Sequence, residues 1–304
     1  MYSFSTCWNS SRHTCGRAML REIRDLGFEY AELSHGIRVS LVPGIVEAVD
    51  AGEIKISTLH NFCPLPMGVT HAAPNLYEFS SEKTRDHDLV LRHTRKTMEF
   101  AVRVKASLVV LHFGSMDLKD YSGKLEEMLA NGERRSPKYE KIRLEAARAR
   151  DAKKARAFGQ AIATLKQLVP EAEEHGLRFG IENREAIHEL PLENDFHFLF
   201  QEVNSPAVVY WHDTGHAQIK ENLGFINHIV HLDALAGHLA GFHIHDVQFP
   251  ARDHCPPGSG TVNFAGLAPL VKPHHIKVFE FSPTMSETNA RHGIAHIKTL
   301  WGND

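Results

Sequence analysis

The sequence has few cysteines, no long apolar run and no secretion signal. Its 304 residues include 4 cysteines and no CxxC pair, which is too few for a disulfide framework and is typical of a reducing compartment. No apolar stretch approaches the roughly 20 residues that span a bilayer, and the N-terminus lacks the successive basic and apolar regions of a signal peptide. We therefore expect a cytoplasmic protein with no membrane partner.

An excess of charge of one sign is also missing. The 34 Lys and Arg residues nearly balance the 37 Asp and Glu residues, for a net charge of −3, whereas nucleic-acid binding favours a basic surface. A basic run at 141–156 has no interleaved aromatic residues, so we interpret it as a solvated helix face. The balance excludes nucleic acid as the main partner and favours a small, weakly charged ligand.

Eight short β-rich runs alternate with helical patterns along the chain. The runs cover residues 2–7, 30–33, 54–59, 107–111, 177–181, 208–211, 239–244 and 276–281. Between them, apolar residues recur at steps of three and four, for example from Phe158 to Ala172, as on one face of a helix. No Pro-, Gly- or Ser-rich linker divides the chain. Repeated βα units therefore predict an α/β fold, a single (β/α)₈ TIM barrel over residues 1–304, rather than an open doubly wound sheet.

Two connections are longer than a barrel needs. Residues 61–81 follow the third predicted strand and are rich in Pro, Gly and Asn, and residues 115–139 follow the fourth and are mostly polar. Loops after barrel strands lie on the active-site face. Either segment could form a lid, or could be a solvated excursion of the surface.

The predicted strand ends carry histidines and carboxylates. From the third strand to the eighth, each end delivers one such side chain: His60, His112, Glu182, Asp213, His243 and Glu280. Barrel enzymes place their chemistry at these ends, and burying such groups together is costly unless a cation compensates their charge. We predict that Glu182, Asp213, His243 and Glu280 bind one divalent metal. The mostly oxygen donor set suits Mn²⁺ or Mg²⁺, with Co²⁺ or Zn²⁺ left open.

Several other reaction types lack their residues. No lysine stands at these strand ends, which argues against Schiff-base aldolase chemistry. No GxSxG nucleophile elbow is present. The turn at 258–260 lacks the full GxGxxG pattern of a dinucleotide site.

The strand-end segments resemble the xylose isomerase-like TIM-barrel superfamily, in its sugar phosphate isomerase/epimerase branch. The matching segments are GIEN at 180–183, HDTGH at 212–216, HIHD at 243–246, HCPPGSG at 254–260 and FE at 279–280. The resemblance covers essentially the whole chain and implies the same four metal ligands. It further implies that His216 contacts substrate or a second metal and that His254 lies in the loop above the metal. His245 ranks below His243 as a ligand.

One departure separates the branches of this superfamily. Endonuclease IV-like relatives carry an aspartate two residues before the histidine matching His254, and Arg252 stands there in this chain. A cation at that position opposes a third metal, and the basic surface for a DNA backbone is missing. A branch with one metal and a carbohydrate substrate is favoured.

The resemblance implies a metal-dependent sugar isomerase or epimerase. Its substrate would be a ketose, aldose or inosose, and a metal-stabilised enediolate would form while Glu182 and Glu280 act as proton carriers on opposite faces. We expect His60 and His112 to hydrogen-bond sugar hydroxyls, although histidines satisfied by their neighbours are the alternative. Arg252 and the 258–260 turn could bind a phosphate, or the loop could close over a neutral sugar.

Other functions remain open at this point. A metal-dependent dehydratase of a keto-sugar or keto-inositol would use the same residues, and a noncatalytic sugar-binding barrel would be expected to lack one of them. The residues do not indicate the oligomeric state, so a homo-oligomer also stays open.

Overall fold

Eight parallel strands close into a barrel in the computed structural model, which describes residues 1–303. With a separate two-stranded hairpin, the described residues form ten strands: β1 (Tyr2–Ser5), β2 (Tyr30–Leu33), β3 (Lys55–His60), β4 (Leu108–Leu111), β5 (Arg178–Glu182), β6 (Val208–Asp213), β7 (Leu239–Ile244), β8 (Asp246–Gln248), β9 (Arg252–Cys255) and β10 (Ile276–Phe279). The barrel order is β1-β10-β7-β6-β5-β4-β3-β2, and β8 and β9 pair separately as an antiparallel hairpin after β7. The predicted TIM barrel is confirmed.

Residues 1–303 also form eleven α-helices. They are α1 (Gly16–Asp25), α2 (Val42–Asp50), α3 (Thr84–Arg103), α4 (Tyr121–Ala130), α5 (Pro137–Lys166), α6 (Val169–Glu174), α7 (Phe196–Val203), α8 (Thr214–Asn222), α9 (His228–Leu235), α10 (Phe264–Leu267) and α11 (Glu287–Trp301). None of these helices is both long and apolar enough to cross a membrane. The four cysteines are free thiols.

The apolar stripe from Phe158 to Ala172 is divided between two helices. Sequence periodicity predicts one helical face, but α5 ends at Lys166 and α6 begins at Val169. Pro170 lies in the first turn of α6, where its missing N–H is tolerated, but it cannot donate the bond that would continue α5. Phe158 and Ala172 are both buried, so the stripe still packs on the barrel across the break.

Inside the barrel, an indole separates an apolar layer from a polar rim. Side chains two residues apart on a strand point the same way, so Trp211 and Asp213 both face inward from β6. Gly241 on β7 makes room for the indole, because a Cβ there would lie 2.5 Å from the Trp211 ring. Trp211 is fully buried and contacts His243 edge to face at 5.2 Å. The side chains above this indole floor can therefore be polar, while those below it form a core.

Candidate metal centre and active site

Asp213 lies where β6 turns into α8. It is the last residue of β6 and the N-cap of α8, and its Oδ1 accepts a 2.7 Å hydrogen bond from the His216 N–H. A capping carboxylate at this position accepts a hydrogen bond from an otherwise unpaired helix N–H, and its negative charge interacts favourably with the positive end of the helix dipole. The segment HDTGH therefore fixes one carboxylate at the rim through local structure alone.

His245 orients that carboxylate from the other side. Its Nδ1 accepts from the His254 backbone N–H at 2.9 Å, so the proton lies on Nε2, which donates to an Asp213 carboxylate oxygen at 3.0 Å. Gly215 is required for this packing, because a Cβ there would lie 2.0 Å from the His245 ring. His245 thus contacts a predicted ligand rather than joining the four-residue set.

The four predicted ligands converge at the rim. The ligand atoms of Glu182, Asp213, His243 and Glu280 all lie within 4.8 Å of one another. His243 Nδ1 is 2.5 Å from Glu182 Oε1 and 3.2 Å from Glu280 Oε2. Strand register explains the convergence, since His243 lies opposite Asp213 on β6 and opposite Val278 on β10.

Glu32 is a buried member of the site that the sequence analysis missed. Its two carboxylate oxygens lie 3.0 and 3.1 Å from His243 Nε2, and Thr58 Oγ1 donates to it at 2.8 Å. Since Nε2–H donates to Glu32, Nδ1 is left facing the other three carboxylates. Applying the strand-end rule to the second predicted strand, which contains Glu32, would have identified this residue.

The donor set fits a divalent cation. Burial would raise the pKa of Glu182, but His243 and His112 hold it well below its usual value. Burial would lower the pKa of His243, yet the carboxylates of Glu280 and Glu32 raise it well above its usual value. Ionised carboxylates at this depth attract a positive charge, and three oxygen donors with one imidazole suit Mn²⁺, Mg²⁺, Zn²⁺ or Co²⁺.

Replacing Glu32 by glutamine should weaken metal binding about tenfold. A carboxylate behind a metal-binding histidine fixes its orientation and raises its basicity, and loss of such a partner typically costs 10- to 100-fold in affinity. The dissociation constant would be measured by competition with a chromophoric chelator. Thr58→Val is the matched control, because it removes the hydroxyl that contacts Glu32 and Ser57 but keeps the Glu32 carboxylate, and it should have a smaller effect. An unchanged constant in Glu32→Gln would contradict this role.

A cavity of about 580 Å³ opens above the four-residue cluster. Glu182 and Glu280 line it, whereas Asp213 and His243 are completely buried and are not among its lining residues. The predicted substrate contacts all line this cavity as well: His60, His112, His216, Arg252 and His254. The structure therefore brings every predicted site residue to one place, and only the two glutamates of the metal cluster reach the cavity.

Two cavity histidines present the same ring nitrogen. His60 Nδ1 is 3.0 Å from the Asn61 carbonyl oxygen, and His216 Nδ1 is 3.0 Å from the Asn183 carbonyl oxygen. In each ring Nδ1–H donates to the carbonyl, so Nε2 is an acceptor. Each ring can therefore accept a hydrogen bond from a ligand hydroxyl.

His112 is more constrained than these two. Its Nε2 lies 3.0 Å from Glu182 Oε2, and its Nδ1 lies 2.7 Å from Asn75 Oδ1. Burial, reinforced by Arg184, lowers the pKa of His112 to about 3, so the ring is neutral near pH 7. This arrangement makes His112 a support for the Glu182 carboxylate as well as a wall of the cavity.

Arg184 is a second residue to which the sequence analysis gave no role. It is buried and donates to Glu182 Oε2 at 2.8 Å and to Glu189 Oε1 at 3.0 Å. Residues two apart share one side of an extended chain, so its spacing from Glu182 was the available signal. The guanidinium holds Glu182 Oε2 on the side away from His243.

Two polar residues of the β8–β9 hairpin reach the cavity in different ways. Arg252 is exposed and makes a single 3.3 Å hydrogen bond to Gln248. His254 Nδ1 lies 2.7 Å from Asp253 Oδ2 and its Nε2 lies 3.9 Å from Glu280 Oε2. Burial would lower the pKa of His254, but the bond to Asp253 raises it to about 9, so this ring is cationic at neutral pH.

The two long connections have different relations to the cavity. Residues 61–81 run beside it and contribute Ala72 and Pro74 to its wall. Residues 115–139 instead contain α4, which packs Leu125 and Met128 into an apolar cluster with α5, and none of the cavity-lining residues that the structure describes comes from this segment. The first segment therefore borders the cavity, and the second is a packed helix.

Comparisons with known proteins agree with this architecture. Residues 20–300 match the sequence profile of the family described as the xylose isomerase-like TIM barrel, and no curated protein sequence gives a significant match. Similar solved structures include a D-tagatose 3-epimerase-like protein, at 17% identity and a TM-score of 0.66, covering 98% of this chain and 96% of that one. At these identities the likeness shows the fold alone.

Two further solved structures have comparable similarity. The 3-keto-D-glucoside 4-epimerase YcjR from E. coli is 14% identical, with a TM-score of 0.66 and 98% of each chain covered. The IolI protein with a bound zinc atom is 15% identical, with a TM-score of 0.62, covering 98% of this chain and 95% of that one.

Proposed function

Because the chain belongs to the xylose isomerase-like TIM-barrel family, we propose that it is a divalent-metal-dependent sugar isomerase or epimerase. The observation that carries this proposal is the four-residue cluster, in which Glu182 and Glu280 reach the cavity and Asp213 and His243 do not. One structurally similar protein is described as D-tagatose 3-epimerase-like and another as a 3-keto-D-glucoside 4-epimerase. A third, the IolI protein, was solved with a bound zinc atom. The substrate is a ketose, an aldose or an inosose.

Glu182, Asp213, His243 and Glu280 would hold the metal, with Mn²⁺ or Mg²⁺ as the proposed ion. A divalent cation in such a site supplies Lewis acidity, which makes the hydrogen on a carbon next to a carbonyl more acidic. Asp213 and His243 are fixed by His245 and Glu32, so they position the site without meeting the substrate.

The two glutamates carry the proton. Glu182 ends β5 and Glu280 follows β10, and these strands are separated by β6 and β7 in the barrel, so the two carboxylates approach the cavity from different sides. One removes the proton from the substrate carbon, and the other delivers a proton to the enediolate. Arg184 and His112 hold the Glu182 carboxylate in place, while the Nε2 atoms of His60 and His216 accept hydrogen bonds from sugar hydroxyls.

Solvent deuterium exchange tests this function. Mn²⁺-loaded enzyme would be incubated in D₂O with ketoses, inososes and their phosphate esters, and the products analysed by mass spectrometry and NMR. We expect one deuterium, without loss of water, at the carbon that changes configuration in an epimerisation or at the former carbonyl carbon in an isomerisation. Formation of a conjugated enone, seen by ultraviolet absorbance, would instead identify a dehydratase. The absence of both deuterium exchange and enone formation with all of these substrates, in protein shown to contain the metal, would contradict both activities.

A further inference from the structure

A second, smaller cavity, here called the annex, adjoins the main one. It has a volume of about 230 Å³ and shares four wall residues with the main cavity: Cys7, His35, Ala72 and Pro283. The walls that belong to the annex alone come from the connections after β1, β2 and β3, and the polar ones are Ser10, Ser11, Ser34, Arg38, Thr70 and His71. A ligand in the main cavity can therefore extend past His35 into the annex.

The two cavities differ in charge. Charges of both signs line the main cavity: Glu182, Glu185, Asp253 and Glu280, together with Arg184, Arg252 and the cationic His254. Among the described residues that line the annex there is no aspartate or glutamate, and Arg38 is its one arginine. An anionic group in the annex would therefore meet Arg38 and no lining carboxylate, whereas beside the two glutamates it would be repelled by their charges.

Arg38 is held in the annex by neutral groups. Its Nη2 donates to the backbone carbonyl oxygens of Ser10 and His13, and no carboxylate of residues 1–303 pairs with it. Its Nε is buried with no hydrogen-bond partner. The guanidinium is thus positioned by the fold but keeps its charge uncompensated, as in arginines that recognise anionic oxygens.

His35, on the same connection as Arg38, provides a second observation. Its Nδ1 is also buried without a partner, and its ring meets His60 edge to face at 4.7 Å between centroids. Buried polar atoms are nearly always hydrogen-bonded in folded proteins. The residues that carry these two atoms line the annex together with Ser11 and Thr70, so the annex offers several polar side chains to a ligand group.

We infer that the annex is an anion subsite, which binds a phosphate or carboxylate group at the end of the sugar remote from the metal centre. This assignment rests on the proposed function for the sugar itself. Arg38 supplies the charge, and the hydroxyls of Ser10, Ser11 and Thr70 supply neutral donors. It places the anion between the connections after β1, β2 and β3, on the other side of the rim from Arg252, the candidate that sequence alone suggested.

Calorimetric titration of the metal-loaded enzyme tests the subsite without turnover. The probes are sorbitol 6-phosphate, gluconate and sorbitol, three open-chain compounds without an aldehyde or ketone, so that none can isomerise. We expect one or both anions to bind about tenfold more tightly than sorbitol, as is typical of charge-assisted hydrogen bonds. The preferred probe identifies the group as phosphate or carboxylate.

Variants locate the anion. Arg38→Met should remove the preference for the anion and leave the affinity for sorbitol unchanged, whereas Arg252→Met should preserve it. If Arg38→Met fails to fold, the double variant Ser11→Ala/Thr70→Val, at two exposed positions, should reduce the preference several-fold. Any of three results would overturn the inference. The parent enzyme could show no preference for either anion. The preference could be lost in Arg252→Met and kept in Arg38→Met, or it could be unaffected by the double variant.

The outcome is separable from that of the proposed function. An Arg38-dependent preference in an enzyme that exchanges no deuterium would reject the isomerase and keep the subsite. Turnover of neutral sugars with no Arg38-dependent preference for an anion would keep the isomerase or epimerase and reject the subsite.

Discussion

Replacing Glu280 by glutamine should lower kcat by about 10³-fold, because a positioned proton carrier typically contributes 10²- to 10⁴-fold. Glutamine keeps the size and one oxygen donor of the side chain but loses its charge, so the metal should bind more weakly yet remain bound at saturating concentration, while proton transfer by this side chain is lost. Glu182→Gln should have an effect of similar size. The measurement is kcat on the verified substrate, with bound metal determined on the same sample by elemental analysis.

Isotope exchange makes this prediction more specific. With one base removed, the surviving glutamate can still exchange the proton of the substrate that it faces, so each variant should incorporate deuterium into one epimer without forming the other. Glu287→Gln, on an exposed carboxylate of α11, is the control and should behave as the parent enzyme. Full turnover in either Glu182→Gln or Glu280→Gln would show that the two-base assignment is wrong.

Replacing Glu193 by glutamine should destabilise the protein by about 3–5 kcal/mol, the usual cost of breaking a buried ion pair. Glu193 accepts from Lys220 Nζ at 2.5 Å and from Arg150 Nη2 at 2.7 Å. Lys220 is 2% exposed and Arg150 is 7% exposed. Removal of the Glu193 charge would therefore leave both cations buried without a counter-charge. The melting temperature should fall by roughly 10 °C.

The exposed pair Lys124–Glu127 provides the control. Its side chains are 42% and 62% exposed, and Glu127→Gln should change stability by less than about 1 kcal/mol. Both variants would be compared with the parent by denaturant unfolding of metal-free protein. Equal effects of the two substitutions would contradict the role given to the buried network.

The effect of Glu193 should also depend on pH. Burial would raise its pKa, but Lys220 and Arg150 lower it well below its usual value. A carboxylate with a lowered pKa in the folded state contributes stability above the unfolded-state pKa, near 4.3, and loses this contribution as the pH falls. The difference in free energy of unfolding between the parent and Glu193→Gln should therefore be largest near pH 7 and should become smaller below about pH 4.

The barrel and its rim were accessible to sequence analysis because both follow from local patterns. Buried parallel strands are written as short apolar runs, and all eight runs correspond to barrel strands. The inward position at each strand end follows from the two-residue alternation. Glu182, Asp213, His243 and Glu280 could therefore be brought together without knowledge of the loops.

The features that were missed depend on contacts between distant segments. The basic run at 141–156 was interpreted as a solvated face, yet Arg150 is buried on Glu193, and only tertiary packing places that carboxylate beside α5. Arg38 and Thr70 form one annex although they belong to different connections. The β8–β9 hairpin that carries Arg252 has strands of three and four residues, too short for a periodicity to be recognised.

The indole floor formed by Trp211 has an evolutionary consequence. Below it, apolar side chains such as Leu108, Ile276 and Val278 cluster with the indole; above it, the rim consists of polar groups and of loops that enter from separate connections. We therefore expect substitutions in the loops around the cavity to alter substrate preference, and substitutions below the indole to alter mainly stability. A barrel divided in this way can diversify in substrate while retaining its metal centre.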